Sequence, residues 1–131
     1  MNEVKFTIKL PPITKKNSMQ VGTNRYTGKT FVTQSKQYKQ YEKDVANFIP
    51  VITMIDKPIN IKALFYMPTK RKVDKLNLEA ALHDILVKYE VLLDDNSDIV
   101  VSTDGTRVYK GVGSENARTE VTITYLEEAA E

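Results

Sequence analysis

Asp74, Asp94 and Asp95 are the residues whose type and grouping could do chemistry in this chain. Carboxylates are hard oxygen donors suited to Mg²⁺ or Mn²⁺. An ion so held can bind a substrate phosphate and activate water for in-line hydrolysis. Oxygen donors are what the composition offers: there is no cysteine, which excludes disulfides and thiolate metal sites, and the single histidine, His83, cannot build a multi-histidine zinc centre. Each carboxylate also has a purely structural reading, Asp74 as a helix cap and Asp94 and Asp95 as turn formers.

The charge distribution points the same way. Residues 1–75 carry fifteen Lys and Arg against five Asp and Glu, and residues 76–131 carry four against twelve, so +10 is followed by −8. A basic half suits a polyanion and crowded carboxylates suit a hard cation, and nucleic acid with Mg²⁺ would use both. Lys15, Lys16 and Asn17 in one polar loop, and Lys70, Arg71, Lys72 and Lys75 in another, are the candidates for contacts to a phosphate backbone.

These groups need a scaffold. A chain of 131 residues with 41% hydrophobic content can bury one sizeable core, which predicts a single domain over residues 1–131. Alternation of Phe6, Ile8 and Leu10 with Lys5, Thr7 and Lys9 predicts a strand over 4–10, stopped by Pro11-Pro12. Segments 19–21 and 30–32 flank a polar stretch with Gly22 and Gly28, the pattern of a hairpin or an irregular β-excursion. Tyr38, Tyr41, Val45 and Phe48 form the stripe of a first helix, capped by Thr33 or Ser35. A central strand follows over 59–67 and a second helix bears the stripe Leu78, Leu82, Ile85, Leu86 and Tyr89, with Asp74 at its entrance and its end near Glu90. Beyond the acidic turn come a strand at 99–102, a hairpin turn at Asp104-Gly105 with a returning strand, and a last strand over 119–125. The class is α+β, with a mixed sheet and two main helices.

One geometric difficulty is visible at once. A helix of about 14 residues is about 21 Å long, which holds Asp74 and the Asp94-Asp95 turn at opposite ends. They converge if the chain after Glu90 folds back beside the helix, or if a second subunit brings its own turn to the helix start.

The segment Val73-Asp74-Lys75-Leu76-Asn77-Leu78, followed by Ala80-Ala81-Leu82-His83-Asp84-Ile85-Leu86 and then Leu93-Asp94-Asp95, resembles the signature of the RusA family of Holliday junction endonucleases. Pro11-Pro12 with the basic loop after it, and the closing strand around Arg118–Ile123, are similar too, so the resemblance spans nearly the whole chain. It implies a dimeric, Mg²⁺-dependent endonuclease, with Mn²⁺ able to substitute, that cuts DNA four-way junctions symmetrically in recombination and repair, a type that phages and prophages often encode. Residue by residue, it makes Asp74 and Asp95 catalytic, with Asp94 beside the latter and Asn77 matching the signature Asn. Two positions depart from the pattern: the family's second catalytic Asp falls on Leu76, and its catalytic Lys falls on Ala80. Glu79, Asp84 or Asp98 would have to supply the missing oxygen, and Lys75 or Lys72 the missing charge. The expected metal ligands are thus Asp74, Asp94, Asp95 and Asp84, with Lys75 as the catalytic cation.

A descendant that binds junctions or duplex without cutting them is the alternative, and a protein-interaction module is a third reading. The charged N-terminal residues Met1–Phe6 lack the apolar run of a secretory signal, so a cytoplasmic protein with no membrane association is expected. The pair of glycines in Gly111-Val112-Gly113-Ser114 sits in a loop and opens no helix, so no nucleotide cofactor is expected.

Overall fold

The computed structural model describes residues 3–14, 19–34 and 36–126, with the backbone alone for 19–22 and 31–34. Its centre is the strand Ile59–Tyr66, β4, because every second residue is apolar and one face is shut away from water: Ile59, Ile61, Ala63 and Phe65 are buried, whereas Asn60, Lys62, Leu64 and Tyr66 are half-exposed. Along one side β4 pairs antiparallel with Arg118–Tyr125 (β7) in unbroken register from Ile59↔Tyr125 to Tyr66↔Arg118. Beyond β7 lies Glu3–Ile8 (β1), again antiparallel. The predicted strand ended at Leu10, but pairing stops at Ile8, three residues before the prolines that cannot donate to a ladder.

The helices Lys36–Val45 (α1) and Lys75–Lys88 (α2) cover the buried face. Tyr38, Tyr41 and Val45 from α1 and Leu78, Ala81, Leu82, Ile85 and Leu86 from α2 join Ile8, Phe65, Val121 and Ile123 in one core. After Val45 the chain tightens into a short 3-10 turn, Ala46–Phe48, so the first helix is shorter than its apolar stripe suggests. Met19–Thr23 (β2) and Thr30–Gln34 (β3) pair antiparallel as a separate two-stranded sheet, as predicted.

The expected hairpin at Asp104-Gly105 is not formed. Val100–Ser102 (β5) and Arg107–Tyr109 (β6) both run parallel to β4 along its free edge, so the chain continues in one direction across a break. The Asn60 side chain spans that break: its oxygen accepts from Ser102 Oγ at 2.6 Å and from the Asp104 amide at 2.7 Å. Thr106 Oγ1 then accepts the Ala63 amide at 3.1 Å, which restores the ladder. Gly105 has φ +88, a backbone conformation that favours glycine, and a Cβ there would also displace the Lys62 side chain, whose Cδ would stand 2.7 Å away. Consequently β6 and β7 flank β4 on opposite sides, and the loop from Gly111 to Asn116 crosses the end of β4 between them instead of closing a hairpin.

The return after α2 is built by backbone geometry. Tyr89 is the C-cap, the Glu90 amide donates to Val87 O at 3.1 Å and the Val91 amide to Leu86 O at 2.9 Å, closing the helix with a Schellman motif. Val91 and Leu92 are buried, and Leu92 bridges Ile55, which orients the acidic turn that follows. The motif places Glu90 at φ +61, a conformation that favours glycine. Glu90→Gly is therefore expected to stabilise the protein by about 0.5–1 kcal/mol. A denaturant midpoint equal to or below the parent's would show that the strain is not there.

Candidate functional site

Strand β4 ends at Tyr66, and residues 67–73 run from there to the entrance of α2. All of these except Lys70 line a cleft of about 290 Å³ whose other walls are Pro12, Ile13 and Thr14 and, from α1, Gln37. Arg71 and Lys72 line it and are exposed. The stem of Lys70 lies across Gly111, where an added Cβ would meet Lys70 Cγ at 3.0 Å. Lys15, Lys16 and Asn17 lie outside the described residues; in sequence they follow Thr14 directly. Residues 12–14 on the chain leaving β1 and the segment leaving β4 thus converge on one cleft.

Asp74 stands where the 67–73 wall meets α2. It is the N-cap, with φ −86 and ψ 116, and its Oδ1 accepts the Leu76 amide at 2.9 Å. One turn in, Lys75 Nζ lies 3.0 Å from Glu79 Oε2. Glu79 is only 6% exposed, so this lysine supplies the compensation that a desolvated carboxylate needs. Glu79 in turn lies one turn before His83. Burial holds the His83 imidazole below its ordinary range, while the charges of Glu79, Asp95 and Asp84 act in the opposite direction.

The charge of Asp95 acts on His83, which is nine residues beyond Asp74, about 13 Å along the axis.

Asp94 is committed to its own turn: Oδ1 accepts the Asp95 amide at 2.8 Å and Oδ2 accepts Asn96 Nδ2 at 3.1 Å. Asp84 is half-buried, and its charge acts on Tyr38 of α1 as well as on His83. Among the described residues no three His, Asp or Glu side chains are placed to hold a metal ion. The expected ligands Asp74, Asp94, Asp95 and Asp84 are therefore not gathered into a preformed cage, because they leave the fold from a helix cap, a closed turn and a helix flank directed to different neighbours. At the two departing positions, Leu76 is 71% exposed and Ala80 is exposed, so neither is a core residue.

The family model for endodeoxyribonuclease RusA matches residues 9–124. The chain belongs to the RusA family. A search of curated proteins finds no match. Members of the RusA family are endodeoxyribonucleases that resolve Holliday junctions, and they are generally dependent on a divalent metal. The fold agrees with that assignment in its mixed sheet and two helices. No helix among the described residues is long and apolar enough to cross a membrane.

The sequence alone marks Glu79 as a candidate for the missing oxygen and assigns His83 no role. The i, i+4 spacing of Lys75, Glu79 and His83 was the available signal, since it aligns them on one side of the helix. Tyr66, Tyr109 and Arg118, far apart in sequence, meet only through strand register.

His83 supplies a test of the acidic lane. Its folded-state pKa lies below the ordinary 6.5, so its contribution to stability is complete above that pH and is lost as pH falls through the window beneath it. Glu79→Gln removes a charge that raises the value and should move the titration further down, followed by NMR of the imidazole protons. An upward shift would show that Glu79 does not face His83.

Proposed function

We propose that this RusA-family chain is a Holliday junction endonuclease of DNA recombination and repair, acting in the cytoplasm as a homodimer that depends on Mg²⁺, with residues 1–131 as one endonuclease domain. The observation that carries this reading is the basic cleft lined by Arg71 and Lys72, which opens beside Asp74 at the entrance of α2. Lys70, Arg71 and Lys72 are assigned to the phosphate backbone, whose negative charge makes such contacts strong and salt-sensitive. Lys15, Lys16 and Asn17 are assigned to the same strand. Lys75 is assigned to the reacting phosphate, with Glu79 fixing its position through their ion pair.

Mg²⁺ is the favoured ion and Mn²⁺ a substitute. Mg²⁺ keeps several waters and binds through one or two carboxylates together with substrate phosphate. A dispersed acidic set is compatible with that habit, and Asp74 and Asp95 are the carboxylates we assign to it. A four-way junction has near two-fold symmetry, so a symmetric dimer would present matching sites to two opposed strands. The exposed Leu93 supplies apolar surface on which a second copy could rest.

Asp74→Asn separates chemistry from capping, since Asn caps helices as well as Asp does. Both Asp74→Asn and Asp95→Asn are expected to keep the parent's melting temperature and to lose cleavage of a labelled four-way junction by on the order of a hundredfold. Cleavage is expected with Mg²⁺ or Mn²⁺, not with EDTA, and not of matching linear duplex. Undiminished cleavage by both variants would remove these residues from the site.

The exposed Leu76 favours a second reading, a junction-binding protein that no longer cuts. Leu76→Asp with Ala80→Lys distinguishes the two. Both positions are solvent-facing and an acid in the first helical turn is favourable, so the double variant should fold. It is expected to cut junctions at least roughly tenfold faster than the parent, each such group being worth a decade or more in rate. Salt-sensitive junction binding without cutting by the parent, with cutting gained only in the double variant, would establish the non-catalytic reading.

A further inference from the structure

The sheet has a second face, turned away from both helices. It carries Lys62, Leu64 and Tyr66 of β4, Arg118 and Glu120 of β7, and Arg107 and Tyr109 of β6, none of them buried. Register aligns three of these in a row across the strands, since Tyr66 faces Arg118 on one side and Tyr109 on the other. The Tyr66 and Tyr109 rings are stacked with centroids 4.9 Å apart and planes 15° from parallel. The Arg118 guanidinium lies 3.9 Å from the centroid of the Tyr66 ring. It is held there by Glu120 at 2.8 Å and by the Asn116 carbonyl at 2.8 Å.

Because β7 and β6 lie on opposite sides of β4, Tyr66 is enclosed between a cation and a ring. Tyr109, on the edge strand, ends the column and is 39% exposed. Packing across strands accounts for the inner pair. It leaves the outer face of Tyr109 without a ring partner among the described residues.

We propose that the Arg118–Tyr66–Tyr109 column is a base-stacking platform, on which an unpaired nucleobase of a DNA strand becomes the next ring after Tyr109. Charge complementarity selects this occupant. Lys62 and Arg107 on the same face, and Lys110 next to Tyr109, have no ion pair among the described residues and are free for flanking phosphates. The platform is also continuous with the basic cleft: the Met67 amide donates to the Tyr109 carbonyl at 2.7 Å, and the Lys70 stem crosses Gly111 two residues further on. Every base has a π face, so such a platform is tolerant of sequence and selective for strands whose bases are unpaired. The inference rests on the reading of this chain as a DNA-binding protein and adds to it a preference for unpaired bases, as at an opened crossover.

The test uses the full chain without divalent metal, so that no cleavage occurs, with a labelled oligothymidylate of about a dozen nucleotides, enough to fill one binding site of this kind, and a duplex of equal length. Tyr109→Ala is expected to weaken single-strand binding roughly tenfold, the loss of one stacked base, and to leave duplex binding unchanged. Tyr109→Phe, which keeps the ring, should bind as the parent does. A 2-aminopurine within the oligonucleotide should be quenched on the parent and on Tyr109→Phe, and not on Tyr109→Ala. Equal single-strand affinity and equal quenching across the three proteins would overturn the platform, as would a loss shared equally by duplex. A change in sedimentation of Tyr109→Ala at unchanged DNA affinity would overturn it in favour of a second copy of the chain on this face. Junction cleavage is read separately, so a protein that stacks bases without cutting upholds the platform and defeats the nuclease reading, and the reverse result does the opposite.

Discussion

The ladder between β4 and β7 runs without interruption from Ile59↔Tyr125 to Tyr66↔Arg118, and the position of each functional group follows from it. It sets the parity of β4, so that Phe65 enters the core while Tyr66 leaves by the other face. It fixes where β4 ends, and hence where residues 67–73 turn away to build the basic cleft and deliver Asp74 to the first turn of α2. A slip of one residue would reverse every side chain on the strand. Four buried side chains on one face and half-exposed polar or amphipathic ones on the other make that slip prohibitive, since it would expose Ile59, Ile61 and Phe65 and bury Lys62.

The parts of this architecture that were legible in the sequence are those in which local chemistry and tertiary packing agree. Alternation marked β1 and β4, i, i+3 and i+4 stripes marked both helices, and Asp74 before a run of good helix formers marked the N-cap that the structure shows. The failures occur where a long-range partner overrides a local signal. Asp104-Gly105 is a hairpin turn by composition, yet Asn60, more than forty residues away, captures the Asp104 amide and keeps the chain running in parallel. Glu90 occupies a left-handed position without the glycine that would have announced it. The bridge between Ile55 and Leu92, which leads into the acidic turn, likewise has no sequence signature.

The electrostatics of α2 depart from what a count of its charges would suggest. Glu79 is more buried than Asp74, Asp94 or Asp95, and it stands at the centre of the lane that links the entrance lysine to His83. A carboxylate in that position fixes Lys75 by an ion pair whose loss would leave a desolvated charge, so the pair is held more firmly than an exposed i, i+4 contact. By contrast Leu76 and Ala80, the two positions expected from sequence to depart from the RusA pattern, project to solvent and contribute little to packing. The fold therefore does not require either residue, and their chemistry could be exchanged without disturbing the core beneath them.

Strand β4 thus serves two surfaces from one end. Its last inward residue, Phe65, anchors the core on which α2 rests and so carries Asp74 and Lys75. Its last outward residue, Tyr66, carries the cation–ring–ring column. The loop from Gly111 to Gly113 ties the two together, donating hydrogen bonds back to Met67, Pro68 and Thr69. On the proposed reading, a strand of nucleic acid that follows the positive charge from Arg71 and Lys72 across Lys70 would reach the ring of Tyr109 over segments joined by these hydrogen bonds. Backbone recognition and base recognition would then be coupled through covalent continuity of a few residues, and a DNA whose bases are all paired would satisfy only the first of the two.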